Sequence, residues 1–189
     1  MKIPIYISHT LNLPNPWQVF TIGLNRGEPD YRSINEKPEY IAMQWRLFTL
    51  YLNYLSSYGY LYAIGRFCTQ CKCEVMYLQE SNKEDSVGAI KLSTSEEIIN
   101  LMIENPLEWY VFFVVESQLN LQVLKLLVET PYNKNIFENI IEHCENVFCM
   151  VQENNDRDFF DLALKQDNSV LLLDKFKIYA RTFDFEICN

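Results

Sequence analysis

Residues 109–115 read Trp-Tyr-Val-Phe-Phe-Val-Val, seven apolar or aromatic side chains without interruption. That run is far shorter than the roughly 20 residues a membrane-spanning helix needs. Its β-branched and aromatic content predicts a strand buried inside a sheet. A helix boundary lies just upstream. Thr94 with Glu97, or Ser93 with Glu96, has capping-box spacing immediately before Ile98, Ile99, Leu101, Met102 and Ile103. Asn105-Pro106 ends that helix. Just downstream, 119–128 alternates like a strand in its first half and reads as a helix in its second.

Further along, 133–152 predicts an amphipathic helix. Ile136, Ile140 and Cys144 share one face, and Glu138, Glu142 and Glu145 share another that points to water. Asp156, Asp158 and Asp161 sit where a short helix is expected to begin, favourable for its dipole. Val170–Ala180 and Thr182–Cys188 read as two closing strands; in the last, Phe183, Phe185 and Ile187 alternate with Asp184 and Glu186.

Towards the N-terminus, Tyr60–Phe67 and Cys71–Gln79 read as strands, with a short apolar piece at Val87–Leu92. Pro38 opens a helix whose Ile41, Trp45, Phe48, Leu52 and Leu55 face the core, and Gly59 reads as its stop. Ile3, Ile5 and Ile7 alternate in a first strand that Pro4 pushes towards a sheet edge. It forms a hairpin with Trp17–Leu24. Strands at both ends with helices mostly between them predict one α+β domain over residues 1–189. Its sheet is expected to be largely antiparallel, with helices packed mainly on one face. Leu47–Gly65 lacks charge over a bilayer-spanning length, but Asn53, Ser56, Ser57 and Gly59 make a helix running into a buried strand the better reading.

Charge is distributed unevenly. The chain carries a formal net charge of -9. Residues 91–168 hold five basic and fourteen acidic groups, and outside that stretch the two signs cancel. Such a concentration disfavours direct nucleic-acid binding, which needs Lys and Arg against phosphates. The same field accelerates association with a basic protein. A solvated, solubilising helix surface is the plainer reading of those carboxylates.

Chemical motifs are sparse. Cys68-Thr69-Gln70-Cys71-Lys72-Cys73 contains one C-x-x-C spacing, and a zinc site would need further ligands such as His143, Cys144 and Cys149. Cys71, Cys73, Val75 and Tyr77 share one face of a strand, the pattern of buried thiols, so inert cysteines are the simpler reading. His9 and His143 are the two histidines, and no nucleophile elbow accompanies either. Asp156-x-Asp158-x-x-Asp161 lacks the glycine and distal glutamate of a calcium loop. The five glycines form no phosphate-cradling loop.

The first residues, Met-Lys-Ile-Pro-Ile-Tyr-Ile, hold no apolar signal core, so the six cysteines read as reduced thiols in a cytoplasmic compartment. These features lead to the expectation of a non-enzymatic protein-binding protein without cofactor or metal. Immunity proteins and antitoxins that cover the cleft of a basic toxin, such as a nuclease, have this general character. Glu138, Glu142, Glu145, Glu153, Asp156 and Asp158 are the expected contacts. No membrane or direct nucleic-acid partner is expected. The alternative is a zinc or thiol module, or a small enzyme, built on Cys68–Cys73.

Overall fold

The structure, a computed structural model, describes residues 2–11, 13–14, 16–24, 38–68, 74–79, 85–104, 111–116, 119–129, 136–143, 149–153 and 159–188. Among them, nine strands pair into one sheet: β1 (Ile3–Leu11), β2 (Trp17–Gly23), β3 (Tyr60–Cys68), β4 (Glu74–Gln79), β5 (Asp85–Leu92), β6 (Val111–Glu116), β7 (Cys149–Glu153), β8 (Phe159–Lys165) and β9 (Phe185–Cys188). Their order is β4-β5-β3-β6-β7-β8-β2-β1-β9. Every pair is antiparallel except β1 with β9. The fold is α+β with a largely antiparallel sheet, as the order of elements in the sequence predicts.

Among the described residues, five helices cover the sheet: α1 (Pro38–Leu55), α2 (Ser95–Glu104), α3 (Leu121–Glu129), α4 (Ile136–His143) and α5 (Gln166–Thr182). The three longer ones lie on one face. Phe48 and Leu52 of α1, Ile98 and Leu101 of α2, and Leu172 and Phe176 of α5 meet Ala63, Phe113 and Leu162 there. The two shorter ones lie on the other, where Leu124 and Leu127 of α3 and Phe137 and Ile140 of α4 meet Tyr62, Val114 and Ala163. Neighbouring strand residues point to opposite faces. With both faces covered, Phe113, Val114 and Val115 are all buried. That is why β6 reads as an unbroken apolar run rather than an alternation.

The capping box before α2 forms as its spacing predicts. Glu97 N–H donates to Thr94 Oγ1 at 3.1 Å, and Thr94 N–H donates to Glu97 Oε2 at 2.9 Å. The uncharged stretch 47–65 divides into the end of α1, a 3₁₀ turn at Ser56–Tyr58 and the start of β3. Among the described residues, no helix is long and apolar enough to cross a membrane.

Three expectations are corrected. Val170–Ala180 belongs to helix α5, which buries Ser169, Leu172, Phe176 and Ala180 at helical spacing. Residues 133–152 do not form one helix: α4 spans Ile136–His143, and Cys149–Glu153 is a strand between β6 and β8. Strand β1 is not at the edge, because β9 lies outside it. Pro4 is tolerated there for a local reason. Ile3 N–H donates to Asp184 O of the turn into β9, so alternation turns Pro4 away from β9. Its missing donor then faces the β2 side, where the pairing among the described residues starts at Tyr6.

Candidate functional site

The acidic residues singled out in the sequence are partly gathered by α4. Glu138 and Glu142 are one turn apart and both exposed, while Phe137 and Ile140 turn inward. Glu153 lies on β7, opposite Phe160 of β8, rather than on a helix. Glu145, Asp156 and Asp158 lie outside the described residues. So do Cys71 and Cys73 of the cysteine cluster, whereas Cys68 ends β3.

Helix α3 packs beside α4 and over β4 and β5. It buries Leu124, Leu127 and Val128 and presents Leu121, Gln122, Lys125, Leu126 and Glu129 outward. Leu121 and Leu126 are 48% and 39% exposed, and Val75 on the underlying β4 is 47% exposed. This layer therefore combines surface aliphatics with carboxylates, the composition of a contact surface with apolar anchors and a charged rim.

The remaining acids of residues 91–168 do not all join it. Glu96 and Glu97 open α2 and Asp167 opens α5, both on the opposite face of the sheet. Glu116 is buried on β6. A strand and its two faces thus split a stretch that is continuous in sequence.

Asp161, read as a helix-start acid, is a strand residue directly opposite Thr21 of β2. The alternation of Phe160, Leu162 and Leu164 with Asp161, Ala163 and Lys165 is the strand signal that identifies it. Thr21 Oγ1 donates to Asp161 Oδ1. Burial pushes the Asp161 carboxyl above its ordinary 3.8, and the Thr21 hydrogen bond offsets only part of that rise. Just above pH 3.8 the folded chain holds a proton that the unfolded chain has released. This group's contribution to stability therefore falls as pH rises through that window. Asp161→Asn keeps an acceptor for Thr21 and carries no charge. The variant is expected to melt higher than the parent near pH 7, with the gain shrinking towards about pH 3. Equal gains at both pH values, read by thermal unfolding, would contradict the assignment.

A polar cleft of about 410 Å³ lies where α1 runs into β3, lined by Ser56, Ser57, Tyr58, Gly59, Tyr60, Leu92 and Ser93. Sequence reading missed it because its two walls are more than thirty residues apart. Ser56 and Ser57 spend their hydroxyls on the carbonyls of Asn53 and Tyr54, at 2.7 Å each. Lys91 Nζ sits 3.5 Å from the Tyr60 ring centroid. Among the described residues, the polar lining of the cleft consists of serine hydroxyls and the phenols of Tyr58 and Tyr60.

Next to the cleft, burial and the Tyr58 hydrogen bond push the Tyr54 phenol up to about 12, which keeps it protonated at neutral pH. His9 packs edge-on against Phe20, with ring centroids 5.6 Å apart. Among the described residues, no three His, Cys, Asp or Glu side chains gather closely enough to hold a metal ion. Comparison of the chain with protein-family models, curated proteins and solved structures gives no match.

Proposed function

We propose that this chain is a non-enzymatic binding protein of the cytoplasm, an immunity protein or antitoxin, that docks a basic protein with its α3–α4 layer. The observation that carries the reading is the exposed pair Glu138 and Glu142 on α4, which packs beside α3 with its exposed Leu121 and Leu126. Carboxylates at such a rim speed encounter with a cationic surface and orient it. Aliphatic side chains pressed into the partner then set how long the complex lasts. A nuclease toxin, whose cleft is lined with Lys and Arg to hold phosphates, fits that chemistry.

The test begins with the basic protein that the full chain captures from its native host. Association is then followed by stopped flow for the parent and for the Glu138→Lys, Glu142→Lys double variant. The double variant is expected to associate about tenfold more slowly at low salt, with a flatter salt dependence. Leu126→Ala is expected to shorten the lifetime of the complex instead. Unchanged association in the charge-reversed variant removes α4 from the interface, and capture of no basic protein removes the reading.

A further inference from the structure

Helix α5 has done its work for the core with Ser169, Leu172, Phe176 and Ala180, yet its outer side is also apolar. Val170, Leu171 and Ile178 are 72%, 59% and 51% exposed, the highest values for large hydrophobic side chains among the described residues. Three aliphatics on the solvent side of one 17-residue helix are more than the scattered exposure of an ordinary surface.

The charges around them are ordered along the axis. Asp167 lies at the N-terminal end, Asp174 at the midpoint, and Lys175, Lys177 and Arg181 in the C-terminal half. Asp167 and Arg181 each lie seven residues from Asp174, and Val170 and Ile178 each lie four residues from it. At 1.5 Å per residue, those offsets are about 10 Å and about 6 Å on either side of one point.

A surface with that order is complementary to itself when turned end for end. We infer that α5 is a two-fold interface between two copies of this chain, with the helices antiparallel and the axis passing near Asp174. Asp167 then meets Arg181 of the second copy, and Val170 and Leu171 meet its Ile178. Asp174 lies near the axis and faces the Asp174 of the second copy, and the ion pair each makes with Lys177 of its own chain at 3.5 Å offsets their repulsion. Each contact away from the axis occurs twice, as an isologous interface requires. Antiparallel helices also oppose their macrodipoles favourably. An interface built mainly on one helix is small, so the dimer is expected in the micromolar range.

The test is sedimentation velocity on the full chain from about 1 µM to about 200 µM. The parent is expected to pass from monomer to dimer within that range. Asp167→Arg and Arg181→Asp, each alone, place like charges across the axis and should weaken the dimer about tenfold. Together they restore opposite charges at both ends, and the double variant should return to within about threefold of the parent. Leu171→Glu should abolish the dimer whatever the charges. Thermal melts of the variants, whose changes are all on exposed side chains, confirm that each is folded. A parent that stays monomeric throughout overturns the inference. So do charge variants that weaken the dimer without recovery in the double, which point to a different pairing.

Discussion

Gly59→Ala should cost the folded chain about 2–4 kcal/mol, and Gly59→Val at least as much. Gly59 has φ 171°, an extended backbone that any residue adopts, so torsional strain is not the cause. The cause is proximity. A Cβ at this position would lie 2.8 Å from the carbonyl oxygen of Glu116 and 3.0 Å from its carbonyl carbon. Those are backbone atoms of β6, locked to β3 by the pairing of Tyr60 with Glu116. No side chain can swing aside to make room, so the first rungs of the β3–β6 ladder must move. For a chain of this size, a 3 kcal/mol loss lowers the melting temperature by about 6–12 °C. Urea unfolding at 25 °C and a thermal melt read the effect. Alanine is the informative variant, since it adds only the offending atom. A loss below about 0.5 kcal/mol would show that the two strands are not held this closely.

Phe48→Ala should be comparably severe, at about 3–5 kcal/mol. Phe48 is 1% exposed and joins three elements. From α1, its ring lies 5.7 Å from that of Phe113 on β6 and 4.4 Å from that of Phe160 on β8, with Trp45 edge-on at 5.8 Å. Removing it leaves a cavity whose walls belong to a helix and two strands near the middle of the sheet. Walls of that kind relax only in part. Phe48→Leu keeps much of the volume and should cost less than half as much. The urea midpoint should fall while the slope stays constant, the mark of lost stability rather than an altered unfolded state. Parity of Phe48→Ala with Phe48→Leu would show that the pocket collapses around the smaller residue.

The two residues differ in how well the sequence announced them. Phe48 sits in the helical series with Trp45, Leu52 and Leu55, so its burial follows from periodicity. Gly59 reads as a helix stop, and the chain does turn there. Its need for hydrogen in place of a side chain comes from Glu116, fifty-seven residues away. The misreading of 170–180 has the same origin. Val-Leu-Leu-Leu followed by Phe, Ile and Tyr satisfies a strand pattern and a helix pattern alike, and only the packing of Leu172 and Phe176 against the sheet decides between them. The mixed outer face of α5 contributed to the confusion, because Val170, Leu171 and Ile178 blur the helical stripe. The acidic candidates show the converse. Glu138 and Glu142 are neighbours through local helix geometry, which spacing alone predicts. Glu153 is set apart from them because it ends β7, the strand that enters the sheet between β6 and β8.

Taken by itself, the order of residues determined what depends on neighbours a few positions apart. That includes the Thr94–Glu97 cap, the inward faces of α1 and α4, the buried run of β6 and the outward pairing of Glu138 with Glu142. Tertiary structure alone decided that β9 lies outside β1, that β7 takes a place inside the sheet, and that Asp161 is held against Thr21. The physical reason is one of range. Hydrogen bonds within a helix and side-chain periodicity are set by local geometry, whereas strand partners are chosen among distant segments by the apolar area and backbone bonds each pairing satisfies.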